Sequence, residues 1–332
     1  MSPFFTFHIL PTRIDCILYG PLTIICISWF AIVLVPLSYK DQVSGSLMLP
    51  FINYPPVPEP GSGYWGPVTS TIDWCEENYV FSPYIAEMVN SLTNLIFVIL
   101  ALQHLYSAIK NNHGWLYVFT SIGFGFVGFG SFLFHMSLRY EYQMMDELPM
   151  VYATAILFGY FLGFDYSPFY RKLCAWGTAI STLVFTYIYI FIWRNPVFHQ
   201  IFYAFLNFGL IFRSLSAVRR FITDDRTRKL EYKMLTLAFG LFLFGFIIWN
   251  IDNVYCSSIT YFRRHFLGLP FGFLTEGHGW WHIFTGMGIY YFILYNEIVS
   301  KWIIGEQRKY TLVWFGPLAE FQLKPITEKK EE

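Results

Sequence analysis

The sequence predicts an all-α transmembrane protein, a seven-helix bundle preceded by one extra N-terminal hydrophobic helix. Hydrophobic residues make up 55% of the 332 residues and charged residues only 13%, about half the charged share of an ordinary soluble domain. Eight apolar runs approach the roughly 20 residues that a helix needs to cross a bilayer. The 22 basic and 22 acidic residues cancel, so the net charge gives no indication of nucleic-acid binding.

The apolar runs divide the chain into three parts. Each run is rich in aromatic and β-branched residues and leaves no polar outer face, which argues against buried helices of a soluble protein. We expect an anchor helix and linker over 1–62, a seven-helix domain over 63–300 and a tail over 301–332. The eight runs lie at 17–37, 83–107, 114–138, 146–166, 172–193, 198–216, 232–252 and 272–298.

The first run is predicted to be a retained anchor. Its apolar stretch is longer than the roughly 7–15 residues of a signal peptide, and no clear small-residue cleavage site follows it. The alternative is a cleaved signal peptide, and both alternatives place the next segment in the lumen. That segment, residues 51–67, is rich in Pro and Gly and predicts an extended linker.

Lysine and arginine in the loops predict the orientation of the bundle. Residues 213–233 form the most basic loop, which places it in the cytosol by the positive-inside rule. Alternation then puts both chain ends in the cytosol and residues 40–82, 139–145, 194–197 and 253–270 in the lumen. Arg263 and Arg264 conflict with this rule, since they fall in a predicted lumenal loop.

The chain ends in a charged segment that contains two lysines. Lys329 and Lys330 occupy the fourth and third positions from the carboxyl end. This ending resembles a dilysine address that coat proteins read to return membrane proteins to the endoplasmic reticulum; the alternative is a solvated charged terminus. We therefore expect a protein of the endoplasmic reticulum membrane, with the Golgi as the other candidate compartment.

Five polar residues lie in or beside apolar runs near their predicted lumenal ends: Ser131, His135, Asp146, His278 and His282. Ionisable groups inside a membrane are costly and by default indicate function. Residues four apart share a helical face, which pairs Ser131 with His135 and His278 with His282. Asp146 is expected at the start of its helix.

Three imidazoles with an open position are typical of a catalytic zinc site. Asp146 would then take or return a proton, and Ser131 would donate a hydrogen bond to a developing oxyanion. Each residue also has a simpler interpretation: interhelical hydrogen bonding for a histidine, helix capping for Asp146 and close helix packing for Ser131.

Oxygen donors are crowded before the second apolar run. They are Asp73, Glu76, Glu77, Asn78, Glu87 and Asn90, with Glu87 expected one turn into the helix. Ca²⁺ binds such hard oxygen ligands, about six to eight at a time. The spacing is not that of an EF-hand, and helix capping or solvated charge remain alternatives.

Two of the five cysteines, Cys75 and Cys256, fall in predicted lumenal loops, where oxidation is possible. We therefore predict a disulfide between them, against the alternative of two free thiols. The other three, Cys16, Cys26 and Cys174, lie in or at the cytosolic ends of the apolar runs.

Three long motifs occur in order along the chain. They read "GYWGPVTSTIDWCEENY" from residue 63, "GSFLFHMSLRYEYQMMDELPM" from residue 130 and "EGHGWWHIFTG" from residue 276. Over about residues 63–300 the chain resembles the alkaline ceramidases, seven-helix membrane hydrolases of the CREST superfamily, and most closely the fungal type. The first 60 residues lie outside the resemblance.

The resemblance implies a function and a set of site residues. The function would be hydrolysis of phytoceramide or dihydroceramide to a sphingoid base and a fatty acid, with the reverse reaction possible. It implies zinc on His135, His278 and His282, with Asp146 as acid/base and Ser131 at the oxyanion. It also implies Ca²⁺ bound by Asp73, the Trp74 carbonyl, Glu76, Asn78 and Glu87. Tyr203 would contact the substrate carbonyl, whereas Glu276 has no role in this scheme.

The main alternative function is a seven-helix zinc receptor of the progestin/adipoQ type, which shares the superfamily. The oxygen-rich loop and the predicted lumenal side of the histidines favour the hydrolase. A transporter with a metal-stabilised core would need broken helices in paired halves, and the sequence shows no such pairs.

Overall fold

The structure is a computed structural model that describes residues 52–324. The first helical rod is α1 (Met88–Thr93) followed by α2 (Leu95–Lys110). The next helices are α3 (Trp115–Ser137), α4 (Tyr140–Gly163), α5 (Pro168–Tyr187), α6 (Pro196–Phe221) and α7 (Asp225–Val254). The last are the short α8 (Cys256–Phe262) and the long α9 (Gly277–Ile303). The predicted anchor at 17–37 and the lysines 329 and 330 lie outside the described residues.

Short irregular turns connect some of these helices. A π-helical turn, Ile188–Ile192, extends α5. A second π-helical turn, Arg263–Leu267, and a 3₁₀ turn, Phe271–Thr275, lead from α8 into α9. A final 3₁₀ turn, Gln307–Lys309, precedes a β-hairpin.

The seven long helices confirm the predicted all-α transmembrane fold. Five of them, including α1 and α2 taken as one rod, are long and apolar enough to cross a membrane. The other two, α4 and α9, contain no stretch that meets the same test, and they carry Asp146, Glu147 and Glu297. Of the 27 residues of α9, 18 are buried, against 5 of 30 in α7. Neighbouring helices therefore shield the polar side chains of α9 from lipid, which is how a bilayer protein tolerates them.

Two predicted helix starts are wrong. α4 begins at Tyr140, not at Asp146, because Leu138 adopts a left-handed conformation that ends α3 and no helix-breaking residue follows before Asp146. Asp146 therefore lies in the second turn of α4.

The second of these starts is that of α1. Glu87 precedes α1 as an extended residue, since Ala86 N and Glu87 N donate to the carbonyls of Met136 and His135. The carbonyls at the end of α3 gain partners in this way.

The tail contains a β-hairpin that the sequence analysis did not predict. β1 (Tyr310–Phe315) pairs antiparallel with β2 (Leu318–Leu323). The turn contains Gly316 with a positive φ of 61°, a conformation that glycine adopts without a steric penalty. His113 Nε2 lies 2.6 Å from the Phe321 carbonyl, and Tyr290 donates to the Ala319 carbonyl. The hairpin is thus packed on the end of the bundle formed by the α2–α3 loop and the C-terminal half of α9.

Candidate metal centre and active site

Three histidines from two helices converge at the opposite end of the bundle. His135 lies near the end of α3, while His278 and His282 lie in the first two turns of α9. One ring nitrogen from each lies within 4.8 Å of the other two, and none of the three side chains is more than 4% exposed. Within residues 52–324, this is the only group of three or more potential metal-binding side chains whose ligand atoms all lie within 4.8 Å of one another.

The hydrogen bonds of the histidines leave nitrogens available for a metal. Nε2 of His135 and Nδ1 of His278 are buried without a hydrogen-bond partner. At His282, the Thr93 hydroxyl donates to the Val89 carbonyl, so its oxygen accepts from Nδ1 at 2.9 Å. The Nε2 atom of His282 is then an acceptor and lies 3.4 Å from the Asn94 Nδ2 donor, a long hydrogen bond that a metal ion would replace. Buried nitrogens without partners are costly, and a zinc ion with three imidazole ligands fits this site.

The other ring nitrogen of His135 contacts a carboxylate. Glu87 Oε2 lies 2.5 Å from His135 Nδ1 and also accepts from Asn90 Nδ2 at 3.1 Å. A carboxylate in this position fixes the orientation of a metal-binding imidazole and raises its basicity. Sequence reasoning assigned Glu87 to calcium alone, and its contact with His135 was missed.

The site has an aromatic wall. The Trp74 ring packs on His278 with 4.3 Å between ring centroids and on Trp249 at 5.7 Å. Trp74 entered the sequence analysis only through its backbone carbonyl. Its side chain covers one face of the histidine group and limits how His278 can turn.

Ser131 and Asp146 come together where α3 crosses α4. The Ser131 side chain lies within hydrogen-bonding reach of the Asp146 carboxylate. Ser131 is buried and Asp146 is half-buried. His135 is one turn after Ser131 on the same face of α3, so the Ser131 hydroxyl and its Asp146 partner lie about one helical turn from a histidine of the group.

A glycine permits this close crossing. A Cβ atom on Gly130 would overlap the Met145 carbonyl oxygen and lie 3.0 Å from the Asp146 nitrogen. Only a residue without a side chain fits between the two helices at this point. The small residue at position 130 therefore sets how close Ser131 and Asp146 can come.

Gly130→Ala is expected to destabilise the protein by about 1–3 kcal/mol, the usual cost of overpacking. The contact between Ser131 and Asp146 should weaken as well, because α3 and α4 must move apart at Ser131. Gly177→Ala is the matched control, since a Cβ there meets no atom within 4 Å and alanine favours the helix. Thermal unfolding in detergent compares the two; equal midpoints for both variants and the parent would contradict the tight crossing.

The acidic loop, residues 73–87, lies beside the histidines. Glu76 accepts hydrogen bonds from Val89 N at 2.7 Å and Asn90 N at 2.8 Å, so it caps α1. Asp73 Oδ2 lies 3.4 Å from Asn78 Nδ2. Within residues 52–324 these carboxylates do not form a group as compact as the histidines.

The acidic loop nevertheless has the electrostatics of a cation site. Burial, and after it the Glu87 carboxylate, raises the pKa of Glu76 to about 8. Burial also raises the pKa of Asp73 and that of Glu87. Three acceptor oxygens are buried without a partner: Asn78 Oδ1, Glu87 Oε1 and Asn90 Oδ1. Because Ca²⁺ supplies positive charge to oxygen ligands, the donor set fits this ion.

A disulfide and an ion pair tie the acidic loop to the segment before α9. Cys75 is bonded to Cys256, with 5.4 Å between the Cα atoms, as the sequence analysis predicts. Arg264 Nε lies 2.8 Å from Glu77 Oε2. The loop is thus connected to the chain that enters α9. Cys174, in α5, is a free thiol.

An apolar cavity lies inside the bundle. It is lined from α3, α4, α6 and α9, by Thr120, Phe124, Val127, Met150, Ala153, Thr154, Leu157, Tyr203, Asn207, Leu210, Ile289, Phe292 and Ile293. Val127 and Met150 are each four residues, about one helical turn, from Ser131 and Asp146. Its volume is about 50 Å³, well below the roughly 300–1,000 Å³ of a ligand pocket. A bound chain would therefore have to push lining side chains apart.

Tyr203 lies in this cavity rather than among the histidines. Its hydroxyl is within hydrogen-bonding reach of Thr154, which is two turns beyond Asp146 on α4.

Glu276, which had no role in the sequence analysis, forms a buried ion pair with Arg263. Sequence reasoning missed this pair because it saw Arg263 only as an exception to the loop-charge rule.

Comparison with known proteins identifies close relatives. The model of the family described as Ceramidase matches residues 66–322, a range that includes the histidine group and all of the hairpin except its last residue. The chain is 38% identical to alkaline ceramidase YPC1 of Saccharomyces cerevisiae over 79% of this chain and 86% of that protein. It is 39% identical to alkaline ceramidase 3 of Mus musculus, over 70% of this chain and 85% of that protein. An alkaline ceramidase of Arabidopsis thaliana is 30% identical over 69% and 83% of the two chains.

Proposed function

Because the chain belongs to the ceramidase family, we propose that this membrane hydrolase cleaves the amide bond of ceramides with the help of a zinc ion. His135, His278 and His282 would hold the ion. The observation that carries this proposal is the convergence of one nitrogen from each histidine within 4.8 Å. A zinc ion there would supply Lewis-acid activation of a carbonyl group and of a water molecule.

Asp146 and Ser131 account for the proton and charge movements of amide hydrolysis. Asp146 takes a proton from the attacking water as general base and returns it to the leaving nitrogen as general acid. The Ser131 hydroxyl donates a hydrogen bond to the carbonyl oxygen as negative charge develops on it. The products are a fatty acid and a sphingoid base. The same groups could run the reverse condensation when fatty acid accumulates.

The position of the site suits a lipid substrate. A ceramide has two apolar chains that meet at an amide, so its scissile bond sits near the membrane surface while its chains stay in the apolar region. The histidine group lies near the end of the bundle, and Val127 and Met150, which line the apolar cavity, are about one helical turn from Ser131 and Asp146. We propose that one chain of phytoceramide or dihydroceramide enters this cavity and passes Tyr203.

A panel of ceramides tests this function. The purified protein should release fatty acid from ceramides and leave phospholipid esters intact. Mass spectrometry of the released acid and sphingoid base gives the preferred species. A protein that binds ceramide but releases neither product under any condition would instead support a receptor role.

We also propose an address and an orientation for the protein. Loop charges support a lumenal position for the histidine group, and the dilysine ending supports retrieval to the endoplasmic reticulum through coat proteins. Replacement of Lys329 and Lys330 by serine should then shift the protein to later compartments.

The acidic loop is proposed to bind a calcium ion that stabilises the site. Its ligands would come from Asp73, the Trp74 carbonyl, Glu76, Asn78 and Glu87. Three features support this assignment: the raised carboxylate pKa values, the unpartnered acceptor oxygens and the contact of Glu87 with His135. Through Glu87, the loop would hold the imidazole in its metal-binding orientation.

Calcium should raise the thermal midpoint of the parent protein. A ligand present at 100 times its Kd stabilises a protein by about 2.7 kcal/mol. Asp73→Asn should lose most of this response, because one anionic ligand becomes neutral. Glu59→Gln is the control, since Glu59 is exposed in the linker. If Asp73→Asn responds to calcium as strongly as the parent, the assignment of Asp73 is wrong.

A further inference from the structure

A buried ion pair lies immediately before the helix that carries two of the histidines. Arg263 and Glu276 have side chains that are 1% and 2% exposed. Arg263 Nη1 lies 2.8 Å from Glu276 Oε1, and Nη2 lies 2.8 Å from Oε2. The third guanidinium nitrogen, Nε, donates to Thr275 Oγ1 at 3.1 Å. The planar guanidinium thus makes a bidentate contact with the carboxylate.

Stability alone is a poor explanation for this pair. Removing two charges from water is costly, and apolar residues of similar volume often stabilise a protein as well as a buried ion pair does. A bidentate contact does, however, fix both the distance of the carboxylate from the guanidinium and its rotation. The pair is therefore better suited to holding a backbone in place than to adding net stability.

The backbone that the pair holds leads directly into the metal centre. Glu276 is the residue before α9, two positions ahead of His278 and six ahead of His282. The next amide, Gly277 N, donates to Asp252 on α7 at 3.1 Å. A small rotation of Glu276 would turn the first turns of α9 and carry both imidazoles away from His135.

The neighbouring arginine extends the connection. Arg264 Nη1 donates to the Pro55 carbonyl at 3.1 Å, and Arg264 also pairs with Glu77 of the acidic loop. Both arginines in this predicted lumenal segment are thus paired with carboxylates. These contacts give a structural reason for the conflict with the loop-charge rule.

We propose that Arg263 is a positioning residue that, through Glu276, sets the first turns of α9 and so presents His278 and His282 to the metal. This inference rests on the proposed zinc-dependent function. It assigns a role to two residues that contact neither the metal nor the substrate.

Two variants separate positioning from stability. Arg263→Met combined with Glu276→Gln removes both charges and leaves no unpaired buried ion, so the protein should fold. Arg263→Lys keeps the charge but loses the planar bidentate contact. If the double variant does not fold, this single variant separates positioning from stability. Arg228→Met is the control, because it removes an exposed ion pair with Asp225 at the other end of the bundle.

Three measurements are made on the full-length protein in detergent: zinc affinity by competition with a chromophoric chelator, amide hydrogen exchange of the zinc-free protein, and kcat and KM for a ceramide. We expect zinc affinity to fall about tenfold or more in both variants, as for other residues behind a metal ligand. Exchange over residues 277–282 should accelerate, and kcat should fall with little change in KM. The control should match the parent in all three.

The inference is overturned if the folded double variant, or Arg263→Lys in its place, keeps the zinc affinity and the exchange rates of the parent. The proposed function fails separately, if the parent itself binds no zinc or releases no fatty acid. Exchange in the zinc-free protein reports on α9 without any assumption about catalysis.

Discussion

His282→Ala is expected to lose bound zinc and to reduce ceramide hydrolysis by about three orders of magnitude or more. His282 supplies one of the three imidazoles of the group, so its removal leaves two ligands. The Nδ1 atom of His282 contacts the Thr93 hydroxyl, so the other ring nitrogen, Nε2, is the one that would bind zinc. Lewis-acid activation contributes several kcal/mol, and each 1.4 kcal/mol is a tenfold change in rate. Zinc content by mass spectrometry and fatty acid release are measured on the same sample.

His265→Ala is the matched control for this variant. His265 is exposed and contacts the Tyr261 carbonyl, outside the histidine group. It should keep both zinc and activity. Equal turnover by His282→Ala and the parent would eliminate a metal-dependent reaction at this site.

Asp146→Asn should lose about 10²–10⁴-fold in turnover, the usual contribution of a general acid or base, while it keeps its zinc. Asparagine has nearly the same shape as aspartate and can still contact Ser131, but it cannot take a proton. A defect in kcat with zinc content unchanged would separate this role from metal binding.

Glu141→Gln is the control on the same helix. The Glu141 side chain is 68% exposed at the start of α4, so the substitution should leave turnover unchanged. If Asp146→Asn hydrolyses ceramide as fast as Glu141→Gln, Asp146 does not carry the proton.

Much of the fold could be predicted from the sequence because hydrophobic runs report on membrane helices directly. The same holds for the histidine group: a polar residue is so costly within an apolar run that His135 and the pair on α9 stand out. The spacing of four on α9 places His278 and His282 on one face. Convergence with His135 followed from the predicted depth of each residue.

Other features depend on contacts that no local pattern records. The predicted start of α4 was wrong because the apolar run begins several residues after the helix does. Asp146 was therefore predicted at the start of α4, whereas it lies in the second turn of that helix. Glu87 was assigned one role because its contact with His135 joins residues 48 positions apart. Arg263 looked like an exception to the charge rule until Glu276 was seen beside it.

The hairpin shows a different limit. Its strands, Tyr310–Phe315 and Leu318–Leu323, flank a Gly-Pro turn, which is a local signal for a hairpin. The charged residues around it favoured a solvated tail instead. The family match extends to residue 322, so all but the last residue of the hairpin belongs to the shared domain.

X-ray absorption at the zinc edge of the purified protein tests whether the three histidines bind a zinc ion. We expect one zinc ion per chain, with a first shell of nitrogen and oxygen at about 2.0–2.1 Å and the outer-shell signature of three imidazoles. A zinc-free protein that hydrolyses ceramide at full rate, or a zinc ion with sulfur ligands, would contradict it.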